Sequence, residues 1–213
     1  MSVALEPTAQ APLQVLEHVS WETYESFLRD MEEQHVHARI TYDQGRMTVM
    51  SPLPKHEWTK LLMGQIVGVM ALELHIPVCS LGETTWRRKD LSKGLEADQC
   101  YYVQHEALVR GRDDLNLNND PPPDLVIEVD ITHHPIDRMQ IYAALGVPEV
   151  WQFYRDHIQA YKLGGEKYAA IEFSLAFPFL QVSELNRFLQ MRWSTDETSI
   201  MRAFRDWVVK LPR

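Results

Sequence analysis

Three carboxylates punctuate PPPDLVIEVDIT, residues 121–132: Asp124, Glu128 and Asp130. The prolines give an extended lead-in that cannot be helical. Leu125-Val126-Ile127 is an unbroken apolar run, which predicts a buried strand. Spacings of four and two put all three acids on one strand face. A second anomaly lies upstream, where Asp98 stands inside LEADQCYYV, residues 95–103. Polar turn material, DDLNLNND, connects the two segments, so their strands are expected to be neighbours in one sheet. Carboxylates beside a core are costly unless they are paired or hold a cation. Two that converge also repel, and a divalent cation removes that penalty. Oxygen-only ligands select magnesium or manganese over zinc. Such an ion polarises a phosphodiester and lowers the pKa of an attacking water. The simpler alternative is that Asp124 caps the strand's start and Asp130 opens the next turn, leaving only Glu128 to explain.

Other residues could join this chemistry. Arg138 lies on the next helix and could stabilise charge on a pentavalent phosphate. It is a poor general base, because it does not lose its proton in proteins. His56 falls in the first turn of a long helix, facing either a site at the sheet edge or solvent. Trp86-Arg87-Arg88-Lys89, with Lys93 nearby, reads as a small phosphate-contacting patch or as a solvated turn. Lys60 is a further source of positive charge. His133-His134 suggests a metal, but adjacent loop histidines diverge and need other ligands.

These groups need elements to hold them. Ser20 opens an amphipathic helix with Tyr24, Phe27, Leu28 and Met31 at helical spacing. Residues 38–42 and 46–50 flank Asp43-Gln44-Gly45 as a hairpin. From His56 to about Leu74, apolar residues including Leu61, Leu62, Ile66 and Met70 repeat at three and four, predicting a core helix. Strands follow over 78–88 and 95–103, then the Glu128 strand and a helix over 136–145 ended by Gly146 and Pro148. Strands over 149–154, 157–163 and 167–173 and two final helices complete the chain. Helices interleaved with a mixed sheet indicate an α/β or α+β fold with one core.

The chain has 213 residues, 45% hydrophobic and 24% charged, with a net charge of −9. This is enough for one good core. Residues 1–18 read as a flexible arm and 19–213 as a single domain. The acidic balance argues against a surface that coats nucleic acid, but not against a local contact. No apolar run approaches the roughly 20 residues of a membrane span. The start lacks a secretory signal's cationic and apolar regions. Cys79 and Cys100 lack metal-ligand spacing and read as free thiols, which fits a cytoplasmic protein.

The segments RITYDQGRMTVMSPLPKHE, TTWRRKDLSKGLEADQCYY, PPPDLVIEVDIT and RMQIYAALGVPEVWQFY together resemble the Uma-two family of endonucleases. That family is abundant in cyanobacteria and belongs to the PD-(D/E)XK nuclease superfamily. The resemblance runs from about Trp21 to Trp207. It implies a restriction-endonuclease-like core, a central mixed sheet flanked by helices. It also implies hydrolysis of DNA phosphodiester bonds with magnesium or manganese. The metal carboxylates fall on Asp98, because EADQCYY is similar to the family's EPD strand, and on Glu128 within DLVIEV. His56 matches the family's helix-start histidine. Asp124 matches the acid of its PD pair, with either a structural role or one supporting the ligands. Asp130 stands beside them, where the superfamily has its lysine. Arg138 occupies the helix position that carries a lysine in many relatives. A second reading follows from these replacements: a catalytically impaired nuclease fold used for binding or assembly. A homodimer would suit a two-fold DNA site, because one basic patch is small for a duplex.

Overall fold

The computed structural model describes residues 13–36, 38–130 and 134–211. Its organising strand is β8 (Leu125–Asp130), buried on both faces. Leu125, Ile127 and Val129 point into one apolar cluster, with Leu62, Met63, Ile66, Val67 and Met70 of a long helix, α2 (Pro54–Leu74). Val126 points into a second cluster, with Ile141, Tyr142 and Leu145 at a short helix, α4 (Arg138–Ala144). Alternation therefore aims Glu128 toward α4. Leu61, expected in the core, lies on the exposed side of α2, while Met63 and Val67 are buried.

The chain before β8 runs β1 (Leu13–Leu16), α1 (Trp21–Gln34), β2 (Arg39–Asp43), β3 (Arg46–Met50), α2, β4 (Cys79–Ser80), β5 (Thr85–Arg88), β6 (Lys93–Glu96), β7 (Gln99–Tyr102) and α3 (Glu106–Val109). After α4 come β9 (Glu149–Tyr154), β10 (His157–Gly164), β11 (Lys167–Ile171), α5 (Leu185–Gln190) and α6 (Glu197–Val208). The expected α/β class, a mixed sheet flanked by helices, is observed, but the strands divide into two sheets. The larger has the order β11-β10-β9-β8-β7-β4, and within it β8 and β9 run parallel across the α4 crossover. The smaller has the order β1-β3-β2-β6-β5 and is antiparallel throughout.

The split corrects one expectation. Residues 95–103 are not a single strand: β6 belongs to the small sheet and β7 to the large one. Asp98 sits in the two-residue break between them. The ladder of β7 on β8 ends with Gln99 opposite Ile127, and the Asp98 Oδ2 then accepts from the Val129 N–H at 2.7 Å. The carboxylate thus takes over where backbone pairing stops, satisfying a buried donor. A second correction concerns the arm. Residues 13–16 form an edge strand on β3, and residues 1–12 lie outside the described ones.

Local signals explain the remaining elements. Ser20 caps α1, its hydroxyl accepting from the Thr23 N–H at 3.1 Å. Pro54 starts α2, where a missing N–H costs nothing. Gln44 and Gly45 both have positive φ, which gives the β2–β3 hairpin the turn that matches strand twist. Among the described residues no helix is long and apolar enough to cross a membrane.

Candidate functional site

Five side chains from five separate elements meet where the two sheets join. Glu128 comes from β8, and Asp98 from the β6–β7 break. Arg138 opens α4, His56 lies in the first turn of α2, and Arg39 begins β2. Asp98 is 1% exposed and Glu128 3%. The sequence-derived set of Asp98, Glu128, Arg138 and His56 is therefore brought together. Arg39 and Tyr142 are additional.

Glu128 is held on both oxygens. Its Oε1 lies 2.6 Å from Arg138 Nε and 3.1 Å from Arg39 Nη2. Its Oε2 accepts from Arg138 Nη2 at 2.9 Å and from the Tyr142 hydroxyl at 2.7 Å. Arg138 and Tyr142 are four apart on α4, so one helix face presents both. Arg138 also donates to Thr41 Oγ1 at 2.5 Å and to the Glu96 carbonyl at 2.6 Å. Burial opposes the charged guanidinium, but Glu128 outweighs it and raises the Arg138 pKa. Arg138 is thus a fixed positive charge.

Asp98 faces Arg39 and His56. Its Oδ1 lies 2.8 Å from Arg39 Nη2 and 3.1 Å from His56 Nε2, yet neither contact is aligned as a hydrogen bond. Burial pushes this carboxyl up, but Arg39 and then His56 hold it well below the usual carboxylate range. Two demands meet at His56 Nε2. It accepts from Arg39 Nη1 at 2.7 Å when neutral, because a guanidinium only donates, or it donates to Asp98 when protonated. Burial opposes protonation of His56, but the neighbouring Asp98 carboxylate outweighs it and raises the pKa.

The metal expectation can be tested against this geometry. Asp98 Oδ1 and Glu128 Oε1 both lie within ion-pair reach of one atom, Arg39 Nη2. Two carboxylate oxygens aimed at one point, one of them without an aligned donor, fit a hard cation. The point itself is taken by the guanidinium of Arg39. Among the described residues no group of three His, Cys, Asp or Glu gathers, so a cation here would draw further ligands from water or substrate phosphate. A cavity of about 30 Å³ opens beside the cluster, lined by Arg39, His56, Glu128, Asp130, His134 and Arg138 among others. That is room for a water or an ion, since a water needs roughly 10–15 Å³ by the same measure.

Other expected residues lie elsewhere or are already engaged. Asp124 is at the far end of β8, roughly 13 Å along the strand from Glu128. Its Oδ2 accepts from the N–H groups of Val103 at 2.7 Å and His105 at 2.9 Å, and its Oδ1 meets His105 Nδ1 at 2.5 Å. It staples a turn and does not support the ligands. Asp130, in contrast, is on the cavity wall. His134 is there too, with Nδ1 against the Ile136 carbonyl at 2.8 Å. Burial lowers its pKa to about 4. His133 lies outside the described residues.

The expected basic patch is neutralised. Arg87 pairs with Glu25 at 2.9 Å, Arg88 with Asp90 at 2.5 Å, Lys89 with Glu22 at 3.2 Å, and Lys93 with Asp43. Lys60 is buried between Glu57, at 2.5 Å, and Glu83.

A comparison with curated proteins finds no match. Among solved structures, a chain described as "a putative nuclease belonging to DUF820" from Anabaena variabilis ATCC 29413 aligns with 10% identity. The alignment covers 79% of this chain and 90% of that one, with a TM-score of 0.46. Residues 21–198 match the family described as "Uma2: Putative restriction endonuclease", and the chain belongs to that family.

Proposed function

We propose that this protein is a nuclease that hydrolyses phosphodiester bonds in DNA with magnesium or manganese held by Asp98 and Glu128. One observation carries the reading: oxygens of both carboxylates converge on a single point beside a small cavity. Family membership supports it. Bound there, the cation would polarise the phosphodiester and lower the pKa of an attacking water. Arg39 must first leave the point it fills. Arg138 and Tyr142 keep Glu128 oriented, and Arg138 adds a permanent charge toward a phosphate. Neither guanidinium gives up a proton, so proton removal falls to His56 or Asp130 on the cavity wall. The test is cutting of plasmid and linear DNA with magnesium or manganese, by wild type and by an Asp98→Ala, Glu128→Ala double variant. Cutting by wild type alone is expected, and equal cutting by both overturns the reading.

A second reading rests on the same contacts. Two carboxylates face two guanidiniums, so the cluster is already neutral before any ion arrives. If that arrangement is permanent, the protein binds phosphodiesters without hydrolysing them. Magnesium separates the two. A melting temperature that rises in millimolar magnesium, and does not in Glu128→Ala, favours the nuclease. No response in either favours the binding protein.

A further inference from the structure

The paired cations of β5 and β6 leave the DNA contact without a surface, and a different region of the molecule offers one. Around the β9–β10 turn, Asp156 Oδ1 meets both Lys55 Nζ at 3.2 Å and Arg192 Nη2 at 2.9 Å. Arg155, in the same turn, lies 5.0 Å over the ring of Tyr154. Two cations thus share one carboxylate and a third stands in the same turn, on a protein whose net charge is −9.

Aromatic rings interleave with these cations. The Arg192 guanidinium lies near two indoles, 5.3 Å from the ring of Trp58 and 4.3 Å from that of Trp193. Asp156 pins its end. Trp193 is 74% exposed, the largest value among the exposed large hydrophobics of the described residues. The guanidinium lies against the ring and leaves most of it open to solvent. One element, α2, carries residues of both this cluster and the carboxylate site. Lys55 and Trp58 lie one and two residues from His56 on that helix, and His56 reaches Asp98 at 3.1 Å. Tyr154 pairs in register with Asp130 on the cavity wall.

We infer that Trp193, set against the Arg192 guanidinium and linked through Asp156 to Lys55, is a platform for an unpaired base of single-stranded DNA. An exposed aromatic face among cations is how strands are held without sequence readout: bases stack and phosphates meet the charges. A duplex keeps its base faces inside the stack and cannot offer one to the indole. The inference rests on the reading that the chain acts on phosphodiesters, and it names the substrate as a single strand or an unpaired end.

The experiment uses the full chain in EDTA, where binding is read without cutting. Fluorescein-labelled oligothymidylate and a hairpin duplex of equal length are titrated by anisotropy, and indole emission is followed in parallel. Wild type should prefer the single strand, with quenched emission. Trp193→Ala should weaken that binding by about tenfold and lose much of the quench, while duplex binding stays unchanged. Trp193→Phe should keep most of the affinity, and Arg155→Glu should weaken it without touching the ring. Equal affinity of wild type and Trp193→Ala for the single strand overturns the inference. So does a preference for the duplex, or a loss of dimer mass in Trp193→Ala with DNA affinity intact. Binding without any cutting in magnesium sinks the nuclease reading and leaves the platform standing. Cutting with a Trp193-independent affinity does the reverse.

Discussion

Removing Arg39 sets two effects on Asp98 and Glu128 against each other. Without metal, Arg39→Met leaves two buried carboxylates with one guanidinium, and breaking a buried pair in this way costs about 3–5 kcal/mol. With metal, the same change empties the point on which both oxygens converge. The variant should therefore melt well below wild type in EDTA and recover in millimolar manganese by more than wild type gains. Thermal melts with and without manganese check this. A folded variant that shows no extra manganese response would mean the carboxylates do not take a cation. Asp98 and Glu128 were legible because acids inside apolar strands are anomalies on their face. Arg39 was not, because an arginine at the start of a short strand reads as an outward-facing end. Its role is visible only once the β6–β7 break turns Asp98 toward it. Tyr142 had a signal in its spacing of four from Arg138, but tyrosine on an apolar helix face reads first as core.

The elements around the site carry strain of a different kind, and β6 shows it at Glu96. Burial raises this carboxyl to about 7, against the partial pull of Arg39. The folded protein therefore holds its proton more tightly than the unfolded chain does. Such a group costs nothing below its unfolded pKa near 4.5, and the penalty grows as pH rises toward the folded value. Glu96→Gln should then leave the melting temperature almost unchanged at pH 4 and raise it at pH 8. The rise is roughly 2–4 °C for each kcal/mol recovered. Equal shifts at both pH values would mean that Glu96 is not a titrating burden. Helices and hairpins at this scale were legible from capping, periodicity and turn residues. The divided sheet was not, because Ala97-Asp98 carries no glycine or proline to announce a break. Strand β1 was hidden for another reason: a four-residue edge strand in a Pro-, Ala- and Gln-rich segment has no alternation long enough to read.

At the scale of the whole molecule, charge decides how DNA can be approached. A net charge of −9 repels a polyanion at long range, and nearly all the surface cations named above are matched by nearby acids. Against these stands the cluster of Lys55, Arg155 and Arg192 around the β9–β10 turn, in which Asp156 pairs with Lys55 and Arg192. Affinity gained through phosphate neutralisation scales with the number of phosphates met, and for single strands the slope of log K against log salt is about −0.7 for each. Two or three contacts on one protomer predict a slope of about −1.4 to −2.1 for oligothymidylate. A coating protein with an extended basic face would fall several times more steeply. A homodimer that presents two such turns to one strand would about double the slope, and its mass by light scattering would report the pairing independently. Titrations between 50 and 200 mM salt are enough to tell these apart. A steep slope from a monomer would place the contact on a surface other than the aromatic turn, because that turn has too few cations to produce it.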